Sequence, residues 1–318
     1  MTALATLAAT LRDAIGLQHK QDIGAVVAAL GLEHTAIRVG DDCAAIPDGD
    51  GWLLLAIEGF LPAFVAREPF FAGYSGIMVN LSDIAAMGGR PLAVVDAIWS
   101  RDAGHATPIL DGLRAAAATY GVPIVGGHTN SRDTAEQLSV AILGRARALL
   151  TSFDARPGEV LLAAIDLRGA YHEPFAWWDA SSECPDPARL RGDLELLPRI
   201  AEAGLSHAAK DISMGGLIGT AIMLAECSGI GLTITPSLIP RPDGADLGRW
   251  LTAFPSFGFL ITCTEANAGA VIALFAVRDI ACAVIGRCET GSRVDLAEAD
   301  ERVTMRDLAD APLMGFVA

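Results

Sequence analysis

The segment MVNLSDIAAMGGRP, residues 78–91, constrains the fold of this chain more than any other stretch. It consists mainly of small and apolar residues, and Asp83 is its single carboxylate. A double glycine followed by Pro91 closes it, which is a strong stop signal, so we predict a helix over residues 69–87. An unpaired carboxylate is costly to bury, and we therefore expect Asp83 to have a polar or charged partner.

Strand-like and helix-like segments alternate along the chain, and the pattern restarts after the connector TSFDARPGE, residues 151–159. Short apolar runs bounded by turn residues predict buried strands, and longer periodic runs closed by glycine predict helices. We therefore predict two tandem α/β domains, residues 1–150 and 151–318. The predicted strands are 52–60, 91–100, 122–130 (running into a glycine turn), 137–147, 160–167, 257–263 and 281–288, and the predicted helices are 1–17, 69–87, 105–121, 186–204, 217–229 and 265–279.

The composition is that of a globular, acidic protein. Of the 318 residues, 52% are hydrophobic and 19% are charged, which excludes a disordered chain. The formal net charge of −15 argues against nucleic acid or an anionic membrane as a partner, because both require basic patches. A nucleotide is compatible with this charge, since metal ions bridge carboxylates to phosphates.

The cysteines and the apolar runs favour a soluble cytoplasmic protein. The six cysteines form no C-x-x-C pair and no Cys/His cluster, so we expect reduced, structural thiols. The N-terminal segment has the pattern of an amphipathic helix and lacks the basic start and the cleavage site of a signal peptide. The apolar run at residues 268–286 is interrupted by Arg278 and Asp279 and is too short on either side to span a bilayer.

Four short segments combine acidic residues or glycines in a way that suggests chemistry: GDDCAAIP (40–47), NLSDIAAMGGRP (80–91), VGGHTNSR (125–132) and KDISMGGL (210–217). Alone, each has an ordinary structural explanation, namely a turn, a side chain bonded to backbone, a turn after a strand, or a helix N-cap. Together they place carboxylates beside glycine-rich backbone. Mg²⁺ prefers carboxylate and phosphate oxygens, and the N–H groups of glycine turns and helix N-termini bind phosphates. The set therefore suggests a metal–nucleotide site.

The same four segments, in this order, resemble the superfamily of aminoimidazole ribonucleotide (AIR) synthetase, thiamine-monophosphate kinase, selenophosphate synthetase and the hydrogenase-maturation dehydratase. NLSDIAAMGGRP is similar to the kinase motif N-L-S-D-I-A-A-M-G-x-x-P, and GDDCAAIP is similar to G-D-D-A-A. VGGHTN resembles G-G-D-T, and KDISMGGL resembles D-I-S-D-G-L. The resemblance covers nearly the whole chain and is strongest to a bacterial branch of AIR synthase-related proteins.

The resemblance implies an α/β (α+β) fold of two domains. The N-terminal α/β domain is expected to bind ATP and to pair with its copy in a homodimer, and the C-terminal domain is expected to be a ferredoxin-like α/β unit. It also implies an enzyme that uses ATP and Mg²⁺ to phosphorylate or activate a small-molecule substrate. The implied metal ligands are Asp41, Asp42, Asp83, Asp211 and Glu58, the implied nucleotide contacts are Gly126, Gly127, Thr129 and Ser213, and the implied catalytic residues are His128 and Asp211.

Three departures from the kinase motifs leave the activity open. Glu58 stands where the kinase has Ser/Thr-Asp, His128 replaces the aspartate of G-G-D-T, and Met214 replaces the second aspartate of D-I-S-D. Histidine is a poor Mg²⁺ ligand and methionine is a worse one. An ATP-dependent phosphotransferase or synthetase-like enzyme is the leading hypothesis, and thiamine-monophosphate kinase is the alternative. A non-catalytic nucleotide-binding or partner protein is the alternative of another class, whereas a dinucleotide oxidoreductase lacks its G-x-G-x-x-G motif.

Four further features have two interpretations each. Lys20 is either a phosphate contact or a solvated lysine, and His128 is either a general acid/base or a donor to phosphate oxygens. The aromatic loop, which we define as residues 169–182, either stacks on a planar substrate or plugs a core or dimer contact. Arg145 and Arg147 either stabilise a transferred phosphate or are simply exposed.

Overall fold

The computed structural model describes residues 2–32, 35–183 and 185–315, and Cys184, one of the six cysteines, lies outside these ranges. By their internal contacts the residues form two compact units. The larger unit comprises Met1–Asp42, Leu149–Ala180 and Ile200–Ala318, and the smaller unit comprises Cys43–Ala148 and Ser181–Arg199.

These units divide the chain differently from the predicted domains 1–150 and 151–318. Both divisions have a boundary near residue 150. In the structure, however, residues 1–42 belong to the same unit as most of the C-terminal half. Residues 181–199 belong to the unit that contains most of the N-terminal half. A single cut cannot describe such a division, because residues 1–42 and 181–199 each belong to the unit that is formed mainly by the other half of the sequence.

The helices of the described residues agree with most of the predicted ones. The predicted helix 69–87 ends one residue earlier, the predicted helix 1–17 is two helices, and the predicted helix 186–204 is broken at Glu195. The helices are α1 (Ala3–Arg12), α2 (Ile15–His19), α3 (Asp22–Leu30), α4 (Pro62–Arg67), α5 (Pro69–Ala86), α6 (Ala103–Tyr120), α7 (Pro187–Leu194), α8 (Leu196–Glu202), α9 (Gly216–Ser228), α10 (Leu247–Leu251) and α11 (Glu265–Ala276).

The strands include all the predicted ones and several that the sequence did not predict, notably the hairpin of β14 and β15 near the C-terminus. They are β1 (Ala44–Asp48), β2 (Gly51–Phe60), β3 (Gly89–Trp99), β4 (Ile124–Asn130), β5 (Gln137–Ala146), β6 (Val160–Ile165), β7 (Ala170–Tyr171), β8 (Trp177–Asp179), β9 (Ala208–Asp211), β10 (Gly231–Ile234), β11 (Phe254–Pro255), β12 (Gly258–Cys263), β13 (Ala281–Glu289), β14 (Arg293–Glu298) and β15 (Glu301–Asp307).

In the smaller unit, five described strands form a sheet in the order β1-β2-β5-β3-β4, and α5 packs on one face of it. Every side chain of α5 from Phe71 to Ala86 is buried. Helices α5 and α6 approach closely at two glycines. A Cβ on Gly73 would lie 2.1 Å from the carbonyl oxygen of Ile109, and one on Gly112 would lie 2.0 Å from that of Phe70. The small residues of the segment thus allow a helix to be enclosed on all sides.

In the larger unit, seven described strands form a sheet in the order β15-β14-β10-β13-β6-β12-β9. Every residue of β6 and β12 is buried, as their unbroken apolar sequences predict. Helix α9 is buried from Gly216 to Cys227 and contributes to the same hydrophobic core. Strand β9 lies at the edge of the sheet, and Asp211 is its last residue.

The glycine pair Gly126-Gly127 has a different local structure from the predicted turn. Gly126 and Gly127 lie inside β4 and do not form a turn, because their backbone pairs in parallel with Val95 and Asp96 of β3. Among the residues that the structure describes, no helix combines the length and apolar character that crossing a bilayer requires.

Candidate functional site

The loop that precedes β1 is fixed to the start of the second half of the chain by Asp41. Its carboxylate accepts hydrogen bonds from the backbone N–H of Ser152 at 3.1 and 3.0 Å and from the Ser152 hydroxyl at 2.7 Å. The N–H of Asp42 is a further donor, at 3.0 Å. Asp41 is one of the predicted metal ligands, and the structure shows its oxygens already occupied by protein donors.

Asp42, the next residue, faces Lys210 of β9. The Lys210 ammonium donates to Oδ1 of Asp42 and, at 3.3 Å, to the hydroxyl of Ser152. The N–H of Asp211 donates to Oδ2 of Asp42 at 3.2 Å. The side chains of Asp42 and Lys210 are only 4% and 6% exposed, so this is a buried ion pair. A carboxylate has about four lone pairs, and Asp42 therefore retains acceptor capacity for a metal ion.

Burial and neighbouring charges shift the acidities in this cluster. Burial, and then the Asp42 carboxylate, raise the pKa of Asp41 to about 6, although Lys210 and the hydrogen bonds from Ser152 act in the opposite direction. For Lys210, burial lowers the pKa, but the carboxylates of Asp42 and Asp41 outweigh it and raise the pKa above its ordinary value. Burial raises the pKa of the Cys227 thiol to about 12, so Cys227 is a neutral hydrogen-bond donor, 3.4 Å from the carbonyl oxygen of Gly40.

Asp211 lies beside Asp42, and the two residues each offer a carboxylate oxygen within 4.8 Å of the other's. Asp211 is 4% exposed. Two buried carboxylates at this separation, both in the larger unit, are oxygen donors of the kind that a hard divalent cation requires. The donor set of this unit therefore fits Mg²⁺, with Asp42 and Asp211 better placed as ligands than Asp41.

The loop after Asp211 leads directly into the N-terminus of α9. Gly216, the first residue of the helix, has a φ of 65°, and a Cβ there would lie 2.4 Å from the carbonyl oxygen of Leu251. Only glycine fits that position without strain. The N–H of Gly216 donates to the carbonyl oxygen of Ser213 at 2.8 Å. No side chain caps the helix, and a helix N-terminus without a side-chain cap can bind an anion through its next N–H groups. Ser213, a predicted nucleotide contact, lies in this loop and is partly exposed.

Lys20 belongs to the same unit and follows a helix that packs on this loop. A Cβ on Gly16 of α2 would lie 2.0 Å from the carbonyl oxygen of Met214. Lys20 comes four residues after Gly16, at the C-terminal end of α2, and therefore lies on the same side of the helix. Either interpretation of Lys20, a phosphate contact or a solvated lysine, is compatible with this position.

Asp83 lies in the smaller unit, on the side of α5 that faces the sheet. A Cβ on Gly76 would lie 2.8 Å from Val140 of β5, and Asn80 donates to the Val140 carbonyl oxygen at 3.1 Å. Asp83 follows Gly76 by two helical turns and is 7% exposed. The prediction that this carboxylate is buried is correct.

The predicted residues of β4 do not all share one face of the sheet. His128 pairs with Ala97, and its ring lies 5.9 Å from that of Trp99, measured between centroids. Thr129 pairs with the buried Ile98 and therefore points to the opposite face. Because adjacent strand residues alternate between faces, His128 and Thr129 cannot both contact a ligand on one side of this sheet.

Glu58 lies on the face of the sheet that packs against α5, which we call the inner face. Asp96, an acidic residue that the motifs did not indicate, lies on the same face. One row of paired residues crosses four strands of the sheet. Val140 of β5 pairs with Glu58 of β2 on one side and with Asp96 of β3 on the other, and Asp96 pairs with Gly127 of β4. A Cβ on Gly127 would lie 2.8 Å from the Asp96 carboxylate carbon, so that carboxylate lies against the glycine backbone. Burial raises the pKa of Asp96. The sequence contained a signal for Asp96, because it is the single acidic residue in the otherwise apolar predicted strand PLAVVDAIWS.

The aromatic loop divides into a structural part and a partly exposed part. Trp178 is 7% exposed, packs edge-on against Tyr171 and Trp250, and donates its indole N–H to the carbonyl oxygen of Asp166. Phe175 and Trp177 are only partly buried and stack nearly parallel, with centroids 4.2 Å apart. Trp178 therefore has the core-packing role that one interpretation gave to the loop, and stacking on a planar substrate stays a prediction for the partly exposed Trp177.

Arg145 pairs with acidic residues of the adjacent hairpin, at 3.3 Å from Asp48 and 3.0 Å from Asp50. This contact gives it a structural role at the surface. The site residues that the sequence missed are Lys210 and Ser152, which organise both aspartates of the G-D-D motif. A signal for Lys210 was present, because the chain contains only two lysines and this one immediately precedes Asp211 in the apolar segment of β9.

Two family models match the chain. The N-terminal domain of AIR synthase related protein matches residues 40–146, and the C-terminal domain of the same family matches residues 157–297. The fold class predicted from the sequence, a mixed α/β chain with two such domains, is confirmed by these matches and by similar solved structures.

Several relatives are similar along most of the chain. An uncharacterised protein of Synechocystis sp. is 42% identical over 320 residues, covering 98% of each chain. Thiamine-monophosphate kinase of Pyrococcus horikoshii is 27% identical, covering 83% of this chain and 87% of the kinase. A phosphoribosylformylglycinamidine synthase subunit PurL of Bradyrhizobium sp. is 26% identical, covering 86% of this chain but only 40% of PurL.

Two solved structures share the fold at lower identity. PurLQS from Thermotoga maritima has a TM-score of 0.78 at 19% identity, covering 98% of this chain. The match covers 52% of the length of that Thermotoga chain, so this chain spans about half of it. AaThiL complexed with AMPPCP and TMP has a TM-score of 0.66 at 20% identity, covering 88% of this chain and 94% of that one.

Proposed function

The chain belongs to the AIR synthase related family, and from this premise we propose that it is an ATP- and Mg²⁺-dependent enzyme. Its reaction would transfer the γ-phosphoryl group of ATP to a small metabolite, or use that group to activate one. The observation that carries this proposal is the buried pair of carboxylates, Asp42 and Asp211, the second of which is joined by the short loop 212–215 to the N-terminus of α9, where no side chain caps the helix. Relatives named for ATP-analogue complexes and for a kinase activity support the same class of reaction.

We propose Asp42 and Asp211 as Mg²⁺ ligands in the larger unit. Asp42 is held in place by the N–H of Asp211 and by Lys210, so its remaining lone pairs have a fixed direction. Asp41 would act by positioning, since its bonds to Ser152 fix the loop that carries Asp42. Asp83 and Glu58 of the smaller unit stay predicted ligands, each to be tested by its own substitution.

The chain's own residues would orient the nucleotide. The N–H groups at the start of α9, with the Ser213 hydroxyl, are donors for phosphate oxygens. In the smaller unit, Gly127 and Thr129 belong to the inner face of the sheet, whereas Gly126 and His128 belong to the outer face. When bound, Mg²⁺ would offset the phosphate charge and so favour phosphoryl transfer. Positioning and fixed charge are the contributions that such a reaction needs from the protein.

We further propose that the outer face of the smaller unit's sheet pairs with a second copy of the chain. Four apolar side chains are exposed on it, Leu55 at 47%, Ile57 at 69%, Val95 at 41% and Leu143 at 36%. Register places them together, since Leu55 pairs with Leu143, and Ile57 and Val95 both pair with Ala141. A contiguous apolar face of this kind is typical of an interface.

The fate of the γ-phosphate tests the proposed function. Wild-type protein, ATP, Mg²⁺ and a pool of small metabolites including thiamine monophosphate would be followed by ³¹P NMR. We expect ADP to form together with a new phosphorylated product or with inorganic phosphate, and we expect neither with the Asp42→Asn variant. A diphosphate of thiamine would identify the kinase activity. No turnover with any metabolite, despite ATP binding, would favour a non-catalytic nucleotide-binding protein.

A further inference from the structure

Lysine is rare in this chain, which makes the position of Lys210 informative. The sequence contains two lysines, Lys20 and Lys210, so the remaining 21 of its 23 basic residues are arginines. Arginine is the usual partner of carboxylates in this protein, as in the pairs of Arg168 with Asp166 and of Arg302 with Asp295. Among the described residues, Lys210 is the basic side chain that pairs with the G-D-D motif. An ammonium is a compact point charge, unlike the planar guanidinium.

The ammonium of Lys210 is deeply enclosed by groups of the larger unit. It donates to Asp42 and to the Ser152 hydroxyl, which itself donates to Asp41. The Cys227 thiol nearby is neutral, and the guanidinium of Arg38, earlier in the same loop, lies over the Phe153 ring at 3.7 Å. Lys210 is therefore the cation that the described structure places directly on the Asp41–Asp42 pair.

Counting charges shows what Lys210 does for this cluster. Asp41 and Asp42 contribute two negative charges, and Lys210 contributes one positive charge, so the ammonium halves the charge of this pair. Removing one partner of a buried ion pair is strongly destabilising.

We propose that Lys210 is a resident cation of the Asp41–Asp42 pair, which takes the place of a divalent ion there, so that Mg²⁺ enters the site only together with the nucleotide. The entry of that Mg²⁺ rests on the proposed function. The occupancy by Lys210 rests on the ion pair itself. Two consequences follow: the nucleotide-free protein does not need a metal for its stability, and loss of the ammonium turns the cluster into a site that needs one.

Thermal unfolding without nucleotide tests the proposal. Lys210→Met retains the length of the side chain and removes its charge. In EDTA we expect its midpoint to fall by roughly 6–10 °C relative to wild type, the loss typical of breaking a buried ion pair. In millimolar Mg²⁺ or Ca²⁺ we expect at least half of that loss to be recovered, because a divalent ion can then occupy the vacated position.

Arg168→Met is the matched control, because it also removes a cation from a buried carboxylate of the larger unit. Arg168 donates to Asp166 at 2.8 and 3.2 Å, and Asp166 is 1% exposed. We expect Arg168→Met to lose stability and Mg²⁺ to restore none of it. Equal midpoints of Lys210→Met in EDTA and in Mg²⁺ would overturn the proposal.

Wild-type protein gives a second test that does not depend on the variant's folding. Its midpoint in EDTA and in Mg²⁺, without nucleotide, should agree within about 1 °C, since free ligand stabilises only what it binds. A rise of several degrees with Mg²⁺ alone would overturn the proposal, because a metal ion would then bind and stabilise the nucleotide-free protein although Lys210 is in place. Neither test uses ATP. If Mg²⁺ restores the stability of Lys210→Met but the protein does not bind ATP, the proposed role of Lys210 is supported and the proposed function is rejected.

Discussion

The Lys210 ammonium and the Asp42 carboxylate form an ion pair whose side chains are 6% and 4% exposed. The pair joins the loop before β1 to the end of β9, across 168 positions of the sequence. Ser152, which lies in a third segment, donates a hydrogen bond to Asp41 of the same loop. Three distant segments of the larger unit therefore meet at one charged cluster, and the predictions below begin from it.

Ser152→Ala should destabilise the protein. The substitution removes the hydroxyl that donates to Asp41 at 2.7 Å and leaves that carboxylate with fewer donors, which costs about 1–3 kcal/mol of the free energy of unfolding. Ser237→Ala is the matched control, because Ser237 donates to Glu298 at the same 2.7 Å on the exposed surface. Urea denaturation of both variants should show a much smaller loss for Ser237→Ala. Similar losses would mean that the Ser152–Asp41 contact has no special role.

Asp83→Asn should abolish Mg²⁺-dependent ATP binding while the protein stays folded. Asparagine retains the shape of this buried residue and removes the charge that a metal ion would need. Calorimetric titration of ATP in Mg²⁺ measures the effect, and Asp48→Asn, at an exposed hairpin position, is the control. Unchanged affinity in a folded Asp83→Asn variant would remove Asp83 from the proposed metal ligands.

Gly112→Ala should destabilise the smaller unit. Its new methyl group would lie 2.0 Å from the carbonyl oxygen of Phe70 and would push α5 and α6 apart, at a cost of roughly 1–3 kcal/mol. Gly269→Ala makes the same change in α11, where no atom lies within 4 Å of the new methyl group. That control should gain about 0.5–1 kcal/mol from the lower entropy of the unfolded chain. Opposite signs in denaturant unfolding are the expected result, and equal effects would contradict the close helix contact.

Two thiols of the larger unit, the buried Cys288 and the partly buried Cys282, should resist alkylation in the native state. Burial raises the pKa of Cys282 and of Cys288 to about 12, so neither is a thiolate at pH 8. Because both thiols are neutral below pH 8 in the folded and the unfolded chain, they add no pH dependence to stability there. Iodoacetamide labelling with peptide mapping should modify them in urea and spare them in buffer. Rapid native labelling of Cys288 would contradict the burial described here.

Ile57→Lys should convert a dimer into a monomer. Ile57 is 69% exposed in the single chain and lies at the centre of the apolar outer face of the sheet. A charge buried there on association would be costly. Light scattering after size exclusion should give twice the chain mass for wild type and the chain mass for Ile57→Lys. Val277→Lys is the control, because Val277 is also apolar and exposed, at 86%, but lies outside this face. The Val277→Lys variant should stay dimeric. A monomeric wild type would contradict the proposed pairing.

Much of the fold follows from local sequence signals. The stop signal Gly88-Gly89-Pro91 predicted the end of α5 within one residue, and unbroken apolar runs predicted β6 and β12. The exchange of residues 1–42 and 181–199 between the units was not predictable in this way. It depends on packing between distant segments, for which periodicity carries no information.

The candidate site was predictable only in part. Asp42 and Asp211 were chosen from motifs, and the structure brings them together in the larger unit. Lys210 was missed, because the signal that was present, a rare lysine immediately before Asp211, does not indicate a partner that lies 168 positions away in the sequence. The opposite faces of His128 and Thr129 could have been read from strand alternation, had Gly126-Gly127 been assigned to a strand instead of a turn.

Calorimetric titration of wild-type protein with ATP, once in Mg²⁺ and once in EDTA, tests the central claim most directly, with Asp211→Asn as the paired variant. The account predicts binding in Mg²⁺ and at least about tenfold weaker binding in EDTA, as expected when a metal ion contributes to an affinity. It predicts the same weak binding for Asp211→Asn in both conditions. Equal ATP affinity with and without Mg²⁺, or no ATP binding in either, would contradict the assignment of Asp42 and Asp211 to a metal–nucleotide site.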